Sequence, residues 1–226
     1  MNVKNSEANH CHVCQSPVVS LTDPTLKIQD KLVEYWACSD CGLIRKKNNF
    51  WVNPQTEKAL YDQHQNSMEN LGYVDMFKRF IAEAIDPFIT QGTALDFGSG
   101  PGPVLHHLLE NQGFKTQHYD VFYQGDVNVF NQTYDLITST EVFEHLHDIN
   151  HTLTTLLNCL KPQGFLVIMT TFQPTTLESF LTWWYRRDAT HVNFFTVKTF
   201  EKLSLKTQLE IKYTNDKNII VFQKKR

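Results

Sequence analysis

Thr93-Ala94-Leu95-Asp96-Phe97-Gly98-Ser99-Gly100-Pro101-Gly102 joins a short apolar run to three glycines at alternate positions. The apolar half reads as a buried strand, and Val104 to Asn111 behind it reads as a helix. A turn between strand and helix without side chains at alternate positions lets the backbone approach a ligand where a Cβ would collide. Downstream, Phe114 to Tyr119 reads as a second strand ending at Asp120, where a carboxylate can accept both hydroxyls of a ribose. A dinucleotide-dependent oxidoreductase would carry G-x-G-x-x-G with its last glycine at 103. Proline stands there and argues against that class.

Away from this turn the chain alternates strands with helices. Tyr134-Asp135-Leu136-Ile137-Thr138 reads as a strand, Ile149 to Leu160 as a helix and Lys161-Pro162-Gln163-Gly164 as a turn. Phe165-Leu166-Val167-Ile168-Met169 reads as another buried strand. Leu209 to Tyr213 and Asn218 to Gln223 read as a closing pair joined at Asn215-Asp216. The alternation predicts an α/β fold with a mostly parallel sheet and an antiparallel edge. Upstream, Val74, Phe77, Ile81, Ala84, Ile85 and Phe88 repeat at helical spacing, and Asn53-Pro54 is a helix-start signal. The organisation expected is a small module over 1–52, a helical linker and cap over 53–92, and the α/β domain over 93–226.

The chain has 226 residues, 41% hydrophobic and 20% charged, enough to bury a core. Lys+Arg total 21 against 24 Asp+Glu, a net charge of −3, so binding a nucleic-acid duplex by bulk charge has no support. Neither a membrane-length apolar run nor a secretory h-region is evident, and a cytoplasmic protein is expected. The sequence says nothing of oligomeric state.

Four of the five cysteines form two C-x2-C knuckles, Cys11-His12-Val13-Cys14 and Cys38-Ser39-Asp40-Cys41. Two such knuckles present four thiolates to one tetrahedral ion, so a closed structural zinc site is expected. His10 and His12 are substitute ligands on offer. Arg45-Lys46-Lys47 beside the second knuckle reads as solvated surface, with contact to an anionic group as the other reading. Cys159, on a helix with Leu153, Leu156, Leu157 and Leu160, reads as a small buried hydrophobe.

Asp96 to Gly102 resembles motif I of the class I S-adenosylmethionine (SAM)-dependent methyltransferases. Tyr134-Asp135-Leu136-Ile137, Glu141-Val142-Phe143-Glu144-His145 and Leu160-Lys161-Pro162-Gln163-Gly164 resemble later motifs of that family, in order and spacing. The resemblance covers about Thr93 to Val221 and implies a Rossmann-like, seven-stranded sheet with SAM across the strand ends. It implies Asp96, Gly98, Gly100 and Gly102 around the methionine part, Asp120 at the ribose, Asp126 at the adenine amino group, and Glu141 on the cofactor side. Only five residues separate Asp120 from Asp126, which leaves no room for a helix in that crossover. An N-terminal zinc module is similar to that of a group of bacterial methyltransferases, and by that likeness Tyr61, His64 and Tyr73 are candidate cofactor contacts; they read equally as polar residues on a surface helix.

Glu141, Glu144 and His145 stand at i, i+3 and i+4, one face of a helical turn if the segment is helical. Two carboxylates and an imidazole suit a divalent ion with open positions, which eases deprotonation of a hydroxyl. The string resembles that of metal-dependent O-methyltransferases acting on small-RNA ends or ubiquinone precursors. That likeness implies His191, in Asp188-Ala189-Thr190-His191, as a fourth ligand. The other reading of the string is a helix cap with no metal. His145, His191 and Asp188 are the candidate catalytic groups. Trp183, Trp184, Tyr185, Phe194 and Phe195 read equally as an acceptor wall or as core. The expected function is methyl transfer from SAM to an acceptor, small molecule or modified macromolecule, whose identity these residues do not give. The competing class is a zinc-ribbon adaptor whose methyltransferase fold only senses SAM.

Overall fold

The computed structural model describes residues 10–63 and 66–226. The chain opens with an antiparallel hairpin, β1 (Val18–Ile28) and β2 (Lys31–Cys38). Gln29 and Asp30, both at positive φ, form its two-residue turn, whose backbone matches the strand twist. β3 (Ile44–Lys46) pairs antiparallel to β2. α1 (Pro54–Tyr61) starts at the expected signal, with Asn53 accepting from the Thr56 N–H and proline in the first turn. α2 (Leu71–Ala84) buries the predicted stripe of Val74, Phe77, Ile81 and Ala84, with Phe80 added.

The larger sheet is built from β4 (Thr93–Phe97), β5 (Lys115–Tyr119), β6 (Tyr134–Thr140), β7 (Leu160–Met169), β9 (Leu209–Thr214) and β10 (Ile219–Lys224). α3 (Val104–Asn111) and α4 (Ile149–Cys159) are its crossovers. α5 (Leu177–Thr182) and α6 (Val197–Lys206) flank the two-residue strand β8 (Asn193–Phe194). The spatial order is β5-β4-β6-β7-β10-β9, with the first four parallel and β10 antiparallel to both its neighbours.

Two expectations are corrected. The sheet has six strands among the described residues, not the seven implied by resemblance. Between β5 and β6 the chain makes a turn closed by Asp120 and Gln124 and one 3-10 turn over Val127–Asn131, too little for another strand and its crossover. Lys161 to Gly164 lies inside β7 rather than ahead of it. Pairing steps from Tyr134–Leu160 to Leu136–Phe165, and Gln163 takes φ 66° within that irregularity.

Successive strand residues point to opposite faces, and both faces are covered. Leu95, Ile137, Leu166 and Ile220 pack in a core with Leu156 and Phe200. Their neighbours Ala94, Leu136, Val167 and Val221 pack in the other with Phe77, Ile81 and Leu105. Hence the continuous apolar runs in the sequence. Cys159 is buried in the first core, as expected. Among the described residues no helix is long and apolar enough to cross a membrane.

Candidate active site

β4 lies between β5 and β6, so the strand order reverses there and the loops after the strands part to leave a crevice. A cleft of about 540 Å³ opens at that point. Gly98, Ser99, Gly100 and Asp120 form one end, and Glu141, His145, Asp188 and His191 the other. Tyr61 and Tyr73 also line it.

The glycine turn is held by the next strand. Gly98 and Ser99 donate to the Tyr119 carbonyl at 2.7 and 3.2 Å. Asp120 accepts from Gly100 N at 2.9 Å and from Phe122 N at 2.8 Å, so one carboxylate fixes both the loop and its own position. Gly98 sits at φ 82°, and a Cβ there would lie 2.1 Å from Val142 Cγ2. The turn is therefore closed to any side chain at that position, and its bare backbone lines the cleft. Phe97, Tyr119 and Phe130 stack or meet edge-on along the cleft wall, with Tyr119 and Phe130 centroids 4.7 Å apart. A planar base suits such a wall.

Three cofactor assignments sit elsewhere. Asp96 is buried behind the turn, where Thr138 Oγ1 donates to it at 3.0 Å. Gly102 faces the chain itself, because a Cβ there would meet the Asn66 carbonyl oxygen at 1.9 Å. Asp126 is exposed and caps its own turn, accepting from Asn128 N and Nδ2, and it does not line the cleft. His64 lies outside the described residues.

At the other end the expected helical turn is absent. Glu141 adopts φ 53°, its N–H held by the Met169 carbonyl, and only Phe143–His145 forms a 3-10 turn. Ligand atoms of Glu144, His145 and His191 nonetheless lie within 4.8 Å of one another. Glu141 is not in that set. Tyr185 joins the two acids instead, with its hydroxyl 2.5 Å from Glu144 Oε1 and 3.2 Å from Glu141 Oε2. Glu144 Oε2 is buried and has no hydrogen-bond partner. His145 Nδ1 is 3.2 Å from the Thr190 carbonyl and His191 Nδ1 2.8 Å from the Tyr185 carbonyl. A carbonyl only accepts, so both Nδ1 atoms carry a proton, and Nε2 is the ring nitrogen left to bind an ion. Two imidazoles oriented by carbonyls, with a buried carboxylate beside them, are a fit for a divalent cation.

The electrostatics agree with neutral imidazole and crowded acids. Burial pushes His191 down to about 4. Burial and the Glu144 carboxylate raise Glu141 well above the carboxylate range. Burial alone would raise Asp188, yet the His191 imidazole and hydrogen bonds from Thr190 hold it below its usual value.

The aromatic set resolves as packing. Phe194 and Tyr185 join Tyr35 and Phe180 in a third core with Trp183 against it; Phe195 lies in the first core. Trp184 is 69% exposed, and none of the five lines the cleft.

The cysteine module supports this end directly. Its four thiols lie within 4.8 Å, with Sγ–Sγ distances of 3.5 Å for Cys11–Cys41 and 3.3 Å for Cys14–Cys38. Four thiolates about 2.3 Å from one zinc need edges of about 3.8 Å, so the cluster could hold that ion. His10 and His12 are not part of it. The reading of Arg45 and Lys46 as solvated is overturned: they are 3% and 1% exposed. Arg45 donates at 2.6 Å to Asn193 Oδ1 and to the His147 carbonyl, and Asn193 Nδ2 donates to the Phe143 and Leu146 carbonyls. Lys46 Nζ donates to the Asp188 and Ala189 carbonyls. Both segments that carry the histidines are thus held from the module. Sequence reading missed Arg45, Lys46, Asn193 and Glu57, because only tertiary contacts give them a role.

The methyltransferase-domain family model matches residues 70–213, well over half of the chain. The chain belongs to that family and is a class I SAM-dependent methyltransferase. Among solved structures it resembles a protein of Methanococcus maripaludis described as an S-adenosyl-L-methionine-dependent methyltransferase. The two share 20% identity at a TM-score of 0.50, over 80% of this chain and 96% of that one. A protein of Pyrococcus horikoshii aligns at TM-score 0.53 and 13% identity, covering 77% and 100%. A Listeria monocytogenes protein described as S-adenosylmethionine-dependent aligns at 0.51 and 13%, covering 66% and 98%. At such identities the likeness is one of fold. No curated protein matches.

Proposed function

We propose that this methyltransferase methylates a hydroxyl oxygen, with a divalent ion held by Glu144, His145 and His191 and a structural zinc on the four cysteines. The observation that carries the reading is the meeting of those three ligand groups, His145 and His191 lining the cleft and Glu144 buried beside them, with both Nδ1 atoms bound to carbonyls. When bound, SAM supplies a methyl group on a sulfonium, and the ion supplies a positive charge that favours an ionised hydroxyl. The residues do the rest by placement. Gly98 to Gly100 and Asp120 seat the nucleoside end, leaving the far end of the cleft for the acceptor. Tyr185 anchors Glu144 through Oε1, the oxygen that lies 4.0 Å from His145 Nε2. Tyr61 on α1 lies edge-on to His145 at 5.3 Å and shields that end from water. Displacement at carbon is in line, so alignment of the two reactants is the main demand.

Zinc-loaded protein titrated with Mn2+ in the presence of S-adenosylhomocysteine should bind one equivalent, read by paramagnetic resonance. Glu144→Gln and His191→Ala should each weaken this at least tenfold, the order expected for loss of one ligand group. Failure of the wild-type protein to bind Mn2+, Mg2+ or Co2+ there overturns the metal-assisted reading.

A further inference from the structure

Apart from imidazoles, the ionisable side chains that line the cleft are acidic. Glu57, Asp120, Glu141 and Asp188 line it together with three imidazoles, and among the described residues no lysine or arginine does. The basic groups that approach from the module and from α1 are committed elsewhere. Arg45 and Lys46 donate to Asn193 and to backbone carbonyls. Lys58 pairs with Asp62 at 2.9 Å and lies over the Tyr123 ring.

Asp120 belongs to the glycine turn, and Glu141 and Asp188 adjoin the ligand cluster. Glu57 has no such duty. It is 8% exposed, and Oε1 accepts from the Tyr61 hydroxyl at 2.7 Å, one helical turn along α1. Since Tyr61 rests against His145, Glu57 overlooks the end of the cleft where the acceptor must enter. A carboxylate in a half-enclosed cleft attracts cations and repels anions more strongly than one in open water. It also discriminates by repulsion, without needing an optimised contact. The cleft must hold cofactor and acceptor together, which keeps the reacting part of the acceptor small.

We infer that the acceptor is a small neutral or cationic hydroxyl compound, with no phosphate or carboxylate near the reacting oxygen, and that Glu57 sets this preference. The inference rests on the hydroxyl-acceptor reading above. It disfavours phosphate-bearing nucleic-acid ends as substrates.

Three probes share one pair of vicinal hydroxyls and differ in charge: dopamine, catechol and 3,4-dihydroxybenzoate. Their affinities are to be measured by calorimetry on the zinc-loaded protein with S-adenosylhomocysteine and Mn2+ bound. Dopamine should bind at least as tightly as catechol, and dihydroxybenzoate at least tenfold more weakly than catechol. Glu57→Gln should shrink the catechol-to-benzoate ratio at least threefold while its affinities for S-adenosylhomocysteine and Mn2+ stay unchanged, which shows that the site remains folded. Equal or tighter binding of the benzoate, or an unchanged ratio in Glu57→Gln, overturns the inference and leaves the hydroxyl-acceptor reading standing. If none of the three binds, that reading falls and takes this inference with it.

Discussion

Asp96 closes an apolar strand with a carboxyl group that has left water, and burial pushes it up to about 7. Thr138 donates to it and lowers it, while the Asp120 charge raises it. In the unfolded chain an aspartate titrates at about 3.9. Between about pH 4 and 7 the folded chain therefore keeps a proton that the unfolded chain has lost. Its contribution to stability is complete below pH 4 and is lost as pH rises through 7, on the order of 4 kcal/mol. Asp96→Asn has no proton to lose. In urea unfolding from pH 5 to 8, the variant should gain on the wild type as pH rises; parallel curves would refute the buried-acid account. The glycine spacing marked a ligand cradle, yet Gly102 is required by the Asn66 carbonyl and Gly98 also by Val142. Sequence spacing shows that a close approach occurs, not which atoms make it.

β3 is three residues long, and two of them carry buried cations into the neighbouring domain. Arg45 is pushed down to about 10 and Lys46 to about 8 by burial, the cost of leaving water. Arg45→Ala removes two charge-assisted hydrogen bonds and leaves a carbonyl and an amide oxygen with unmet acceptors, a loss of roughly 2–4 kcal/mol. A brace also predicts weaker Mn2+ binding in Arg45→Ala, and Arg45→Lys should not restore it, because an ammonium cannot reproduce the guanidinium fork. Mn2+ affinity equal to wild type in a folded Arg45→Ala protein would reduce these contacts to packing. Elements with strong periodicity, such as α2 and the runs of β4 and β6, were legible in the sequence. The 3-10 turn at 143–145 was not. Its backbone is fixed by Met169, whose carbonyl accepts from Glu141 N just ahead of it, and by Val192, whose N–H donates to the Glu144 carbonyl, contacts from distant parts of the chain.

The two sheets are one structure because β8, from the methyltransferase domain, pairs with β3 through Ile44–Phe194 and Arg45–Asn193. α6 adds to the join: Thr196 and Thr199 donate to the Cys41 carbonyl, and Lys206 to that of Val13. Arg186, 1% exposed, pairs with buried Asp23 on β1 at 2.9 Å. A zinc ion on the four cysteines would then stabilise more than its own module. The purified protein should contain one zinc per chain by elemental analysis. In Cys38→Ser, hydrogen exchange should lose protection at 44–46 and also at 193–194, and the melting temperature should fall. Loss of protection confined to 10–50 would make the module an independent appendage.

Local sequence is enough for the α/β alternation, the glycine turn with Asp120, the four-cysteine cluster and the titratable groups at the far end of the cleft. Each of these depends on local periodicity or short spacing, which neighbouring residues dictate. The meeting of Glu144, His145 and His191 without Glu141, the burial of Arg45 and Lys46, and the place of Glu57 on the cleft wall come from packing between distant segments. Those facts depend on which segments pack together, and residues as far apart as 45 and 193 become neighbours only when sheet pairing closes over them.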